Sequence, residues 1–124
     1  MRYSAEYMKH FSSPQNIGEM EDADSTADVL HTGGGCLDKI RIFVKRNGDK
    51  VSKINYQCRA CSGTIAACSA MSEMVVGMSL TDAGQFQGNQ IAEFLGGVPD
   101  KKQHSVDLAA EALRNAIDNL TETS

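Results

Sequence analysis

No stretch of this sequence approaches the ~20 consecutive apolar residues that span a bilayer. The first ten residues, Met1 to His10, lack the apolar core of a secretory signal peptide. Positive charge is in short supply: 12 lysines and arginines against 16 aspartates and glutamates leave a formal net charge of −4. That balance argues against non-specific nucleic-acid binding, which needs a clustered basic face. The expectation is a cytoplasmic protein with neither membrane nor nucleic acid among its partners. Cysteine is also sparse, with Cys36, Cys58, Cys61 and Cys68 the only four. In a secreted chain these would suggest disulfides; in a cytosolic one they suggest metal or redox chemistry. What is present, 124 residues with 41% apolar and 23% charged, reads as one globular domain spanning 1–124. It is long enough to bury a core without staples.

The stretch from Cys58 to Cys68 organises the rest. Two thiols three apart, Cys58 and Cys61, precede Ser62, Gly63 and a run of small apolar residues. Ser62 can cap the helix that follows. A thiol at Cys61 then feels the positive end of the helix dipole and the unpaired N–H groups there. Both favour the thiolate, the form that binds metal and attacks electrophiles. Cys68 falls inside the helix pattern and reads as a small buried hydrophobe.

Taken in order, Tyr3, Tyr7, Met8 and Phe11 recur at helical spacing and predict a short packing stripe. Ser12 to Gly18 stops that helix. An acidic stretch, Glu19 to Asp28, leads to a short strand near Ala27 to His31. Gly33-Gly34-Gly35 lets a tight loop carry Cys36 toward a neighbour. A phosphate-binding loop is disfavoured, because no Gly-Lys-Ser/Thr follows and a strand comes next. Strands are predicted at Lys39–Lys45 and Val51–Cys58, joined by a hairpin turn. A two-residue loop at Asn47-Gly48 would mix their faces. A three-residue loop, Asn47 to Asp49, pairs Ile42 with Ile54 and Ile40 with Tyr56 on one apolar face. It also sets Asp38 opposite Cys58. Cys36, Asp38, Cys58 and Cys61 are thus expected at one end of a hairpin.

Ser62 to Val76 reads as a helix with Ile65, Cys68, Met71 or Ser72, and Val75 inward, ended by Gly77. Short helices are expected at Ser79–Ala83 and Asn89–Leu95. The last runs from about Ser105 to Thr121, burying Val106, Ala109, Ala112, Leu113, Ala116, Ile117 and Leu120. His104 stands just before it, where a helix start favours neutral imidazole, the metal-binding form.

These pieces resemble the IscU / NifU N-terminal family of iron–sulfur cluster assembly scaffolds across nearly the whole chain. Tyr3-Ser4 and Pro14-Gln15-Asn16-Ile17-Gly18 are similar to its opening tyrosine–serine and Pro-Arg-Asn-Val-Gly. Cys36-Leu37-Asp38 resembles its Cys-Gly-Asp, and Cys61-Ser62-Gly63-Thr64-Ile65-Ala66 its Cys-Gly-Ser-Ala-Ile-Ala. Glu73 through Gly77-Met78-Ser79-Leu80, and Ile91-Ala92-Glu93, match as well. The resemblance implies an α+β fold, a three-stranded antiparallel sheet packed against several helices with a long C-terminal helix. It implies ligands at Cys36, Asp38, Cys61 and His104, a transient [2Fe–2S] cluster, sulfur from a cysteine desulfurase, and delivery to iron–sulfur acceptor proteins. Some members carry zinc in the same pocket.

Three positions depart from the family. Ser105 stands where His-Cys is usual, so one thiol is missing; Cys58, placed by the hairpin register at the same end, is a candidate replacement. Leu37 takes the place of a glycine. Val98-Pro99-Asp100-Lys101-Lys102 replaces the Leu-Pro-Pro-Val-Lys bound by an Hsp70-type chaperone, which makes that partner doubtful. A carboxylate such as Asp38 holds iron less firmly than thiolate and suits a site that must release its cargo. Cys36, on its glycine loop, is the expected sulfur acceptor. The leading reading is a scaffold and carrier, not an enzyme; the alternative is a zinc-binding sulfur-transfer protein that accepts persulfide without building a cluster. A redox enzyme using Cys58 and Cys61 fits less well, because the motif ends a hairpin strand rather than opening a βαβ unit.

Overall fold

The computed structural model describes residues 4–33, 36–59, 62–98 and 103–122, with the side chains of 31–38, 62–63 and 121–122 outside that description. The elements run α1 (Ala5–Ser12), β1 (Ser25–Gly33), β2 (Cys36–Asn47), β3 (Lys50–Arg59), α2 (Ser62–Val75), α3 (Leu80–Ala83), α4 (Gly88–Phe94) and α5 (Gln103–Glu122). The strands form one antiparallel sheet in the order β1-β2-β3. This is the predicted α+β architecture, with α5 as the long C-terminal helix.

Strand alternation divides the sheet into two faces. On the inner face Val29, Ile40 and Cys58 form one row, Ala27, Ile42 and Tyr56 the next, Ser25, Val44 and Ile54 the third. All but Cys58 are buried. Helix α5 lies across β1 and β2, and α2 packs against β3 and α5. The predicted stripe of α5, from Val106 to Leu120, is buried throughout. Each of its larger side chains contributes on the order of 1.5–3 kcal/mol of burial.

The hairpin differs from expectation. Ile42 pairs with Tyr56, Ile40 with Cys58 and Val44 with Ile54, so Ile42 does not face Ile54 and Cys58 does not face Asp38. The turn is Gly48-Asp49, closed by Asn47 and Lys50, with Gly48 at φ 63. That is the positive φ a two-residue hairpin of II′ type needs at its first central position. Such a turn alone would mix the faces. The ladder shifts between Lys45 and Arg46, where Lys45 pairs with Lys53 and Arg46 with Val51. Ser52 is the extra residue, and its hydroxyl donates to the Lys45 carbonyl at 3.1 Å. This β-bulge restores the single apolar face. Requiring one apolar face fixes the register only to within two residues, which is the size of the discrepancy.

Helix α2 is buried on more sides than its sequence pattern indicated. Thr64 and every residue from Ala66 to Ser72 are buried, whereas Ile65, expected inward, is half-buried. Small side chains let α1, β3, α4 and α5 all pack on it. Its buried hydroxyls are occupied. Ser69 Oγ accepts the Gln15 N–H at 2.8 Å and lies 2.7 Å from His10 Nδ1. Ser72 Oγ accepts from Asn16 Nδ2 at 2.9 Å and donates to the Ser69 carbonyl at 2.7 Å. The turn held this way covers the edge of β3: Gly18 N–H donates to the Tyr56 carbonyl and Tyr56 N–H to the Asn16 carbonyl. Asn16 at φ 63 and Gly18 at φ 136 make the path possible.

The stripe on α1 is also redrawn. Tyr7 and His10 point inward, while Met8 and Phe11 are exposed and Tyr3 lies outside the described residues. Serine 69 explains the exchange, since it gives the buried imidazole a polar partner. Helices α4 and α5 meet closely at Gly88, where a Cβ would sit 2.2 Å from Asp107 Oδ1 and 2.9 Å from its Cα.

Ser69→Ala removes a partner from both His10 and Gln15. It is expected to destabilise the fold by about 1–3 kcal/mol in urea unfolding, the cost of leaving buried polar groups unsatisfied. An unchanged midpoint would show that these bonds do not hold the turn. Tyr56 gives a second test. Burial, then the neighbouring Cys68 and Cys58, pushes its phenol well above the ordinary value of 10.0. The folded state therefore holds the proton more tightly than the unfolded one. This contribution is fully present below the unfolded value and lost as the pH rises through and beyond it. Tyr56→Phe should flatten the alkaline decline in stability, read from unfolding midpoints above and below pH ~10.

Candidate functional site

One end of the sheet gathers the beginnings and ends of several elements. Cys36 is the first residue of β2 and pairs with Gly33; Asp38 pairs with His31. Positions 36 and 38 fall on the same strand face as Ile40, which belongs to the buried side. Strand β3 stops at Arg59, opposite Lys39, and α2 starts at Ser62. Cys61 occupies this junction and lies outside the described residues. Ser62 is already helical, so it is the first residue of α2 rather than the cap before it.

Helix α5 arrives at the same end. It begins at Gln103, two residues before the predicted start, so His104 lies within the first turn and is exposed there. Ser105 is 1% exposed. Thr64 Oγ donates to Ser105 Oγ at 3.1 Å, tying the first turn of α2 to the first turn of α5. This bond places the starts of two helices side by side. The positive dipole ends of the two helices favour thiolate and carboxylate in their neighbourhood.

The backbone thus brings the positions of Cys36, Asp38 and His104, and the junction holding Cys61, to one end of the molecule. The side chains of Cys36, Asp38 and Cys61 lie outside the described residues. Among the described residues no group of three or more His, Cys, Asp or Glu side chains is placed to hold a metal. Cys58 is not brought to Asp38. It faces Ile40, is half-buried, and packs against the core beside Tyr56. Asp38 and Cys58 are diagonal on their shared face, at a typical separation of about 7–8 Å rather than about 5 Å. Cys68 is fully buried in α2, as its helix position indicated. Neither Cys58 nor Cys68 forms a disulfide.

Two features were missed in the sequence. The Thr64–Ser105 bond had a signal in the substitution of serine for the expected cysteine, which pointed to a changed role for position 105. Buried His10 had none, because a histidine between Lys9 and Phe11 carries no mark of its serine partner on α2. The chain segment 99–102, where the chaperone-binding sequence was compared, lies outside the described residues.

The pattern of the NifU-like N terminal domain family matches residues 2–124. A relative named iron–sulfur cluster assembly scaffold protein IscU 1, from Archaeoglobus fulgidus, is 36% identical over 115 residues, covering 93% of this chain and 74% of its own. The nitrogen fixation protein NifU of Azotobacter chroococcum is 34% identical over 119 residues, covering 94% of this chain and 38% of its own. In structure, a NifU-like N-terminal protein from Brucella abortus superposes with a TM-score of 0.73 at 17% identity, covering 98% of this chain and 95% of that one. The chain belongs to the NifU-like N-terminal domain family.

Proposed function

We propose that this chain is an iron–sulfur cluster assembly scaffold: a cytoplasmic carrier, not an enzyme, that receives sulfur and iron, assembles a transient [2Fe–2S] cluster and passes it to acceptor proteins. The observation that carries the reading is the meeting of the α2 and α5 first turns, through Thr64 and Ser105, at the sheet end that bears Cys36 and Asp38. Cys36, Asp38, Cys61 and His104 are the proposed ligands. Thiolate, imidazole and carboxylate together suit iron or zinc. The two helix starts favour the ionised thiols such a site needs.

Cys36 is the proposed sulfur acceptor. Its thiolate attacks the outer sulfur of a persulfide on a cysteine desulfurase; a new S–S bond forms on Cys36 and the desulfurase leaves as its thiolate. Asp38 is the weakest ligand and eases release. Ser105 is no substitute thiol: its hydroxyl is buried and engaged by Thr64. Cys58 is assigned to packing, since the register moves it two residues away from Asp38.

The same Ser105 observation favours a second reading. Two thiols, one imidazole and one carboxylate make an ordinary zinc site, and a zinc-bearing persulfide acceptor would need no third thiol. Anaerobic addition of iron and sulfide separates the two: a scaffold becomes coloured with charge-transfer absorption, and a zinc protein does not. Metal analysis of freshly purified protein gives the resident ion.

The ligand assignment yields two expected outcomes. The double variant Cys36→Ala, Cys61→Ala should lose stoichiometric metal, whereas Cys58→Ser should hold metal as the parent does. Loss of metal in Cys58→Ser, with unchanged circular dichroism, would return Cys58 to the ligand set. Ser105→Cys should slow loss of metal to a chelator, because it adds a thiol beside the α2 first turn.

A further inference from the structure

The outer face of the sheet carries an unusual charge arrangement. Leu30 pairs with Lys39 and Lys39 with Arg59, so these three form one row across all three strands. In the next row Asp28 faces Arg41 and Arg41 faces Gln57. The two rows border a concavity of about 710 Å³, lined by Leu30, Lys39, Arg41, Gln57, Cys58 and Arg59.

Like charges directly opposite each other on a sheet are destabilising. The outer face has two such pairs, Lys39 with Arg59 and Lys45 with Lys53. They are treated differently. Lys45 is ion-paired with Asp22 at 3.2 Å, and Lys53 contributes to holding the Asp22 carboxyl below its usual range. At the other pair Lys39 adds only at longer range to the Arg41 bonds and charge that hold the Asp28 carboxyl below its usual range, and no described carboxylate pairs directly with Lys39 or Arg59. Asp28 is bound in bidentate fashion by Arg41, at 2.7 and 3.0 Å. Glu19 accepts from Gln57 at 3.3 Å. Lys39 and Arg59 form no ion pair with a described residue, and both are exposed. Beside them Leu30 is 61% exposed, a large apolar side chain at the rim of a cationic concavity.

The geometry points to a docking surface for an acidic protein segment bearing a large apolar side chain. The carboxylates of that segment would pair with Lys39 and Arg59, and its apolar residue would cover Leu30. The chain's net charge of −4 sharpens the preference, since acidic partners are repelled elsewhere and admitted here. The patch lies at the sheet end that carries Cys36 and Asp38, on the opposite face from the buried rows, so a partner seated there leaves the metal-ligand positions uncovered.

The probe is a fluorescein-labelled peptide of alternating glutamate and leucine, titrated against the full chain by fluorescence anisotropy. Its counterpart with glutamine for glutamate, and an oligothymidine competitor, serve as controls. The acidic peptide should bind, weaken on added salt, and bind about tenfold more weakly to Lys39→Glu, Arg59→Glu. Leu30→Ser should weaken it further. Lys39→Glu alone places an acid opposite Arg59, so its thermal midpoint should hold or rise while its peptide binding falls. That divergence separates recognition from loss of fold. Absence of binding, equal binding of the glutamine peptide, equal binding to the double variant, or displacement by oligothymidine as effective as by unlabelled peptide would each overturn the proposal.

Discussion

Everything in this molecule leans on a helix that has almost no exposed side. Helix α2 is built of alanine, serine, cysteine and a single methionine over its central turns, and those small side chains let two layers close on it at once. Burying a helix so fully would strand its hydroxyls, because a serine in an apolar interior costs free energy unless bonded. The chain answers with the turn before the acidic stretch. Gln15 and Asn16 deliver donors to Ser69 and Ser72, and the same turn pairs with Tyr56 and closes the edge of β3. One set of bonds satisfies a buried helix and a bare sheet edge, and α1 is anchored through His10 to the same serine.

The functional end inherits its geometry from this arrangement. With α2 fixed from its middle, its first turn is a fixed point, and Thr64 transfers that position to α5. The strand β2 runs past the last residue of β3, so its first positions pair with β1 alone. Loop-and-terminus construction would suit the proposed ligands, whose thiolates would have to be ionised, reachable and able to give up what they hold. A strand interior would be too crowded and a helix face too well packed.

Much of this was legible from the sequence, and the failures have physical causes. Apolar periodicity located the strands and α5 because burial on one face imposes period on the residues themselves. The hairpin was misaligned by two residues because periodicity constrains faces and not partners; the bulge at Ser52 leaves no trace in an apolar pattern. The inward turn of His10 depended on a serine fifty-nine positions away. The α5 start was set two residues late, since Gln103 and His104 carry no apolar signal. Cys36, Asp38, Cys61 and His104 were grouped as ligands by family resemblance; among the described residues the backbone brings the starts of β2, α2 and α5 to one end of the molecule. The lost thiol at Ser105 was read as a gap to be filled, whereas the structure has a hydrogen-bonded hydroxyl pair there.

Gly88 has a reach well beyond its own helix. With the Asp107 backbone pressed where a side chain would begin, α4 and α5 are separated by less than the width of a methyl group. A side chain at Gly88 would meet the Asp107 backbone, so one of the two helices would have to move. The histidine at the start of α5 is therefore steadied from behind by an atom that is absent, and a single carbon added at Gly88 would act as a wedge under the functional end of the protein.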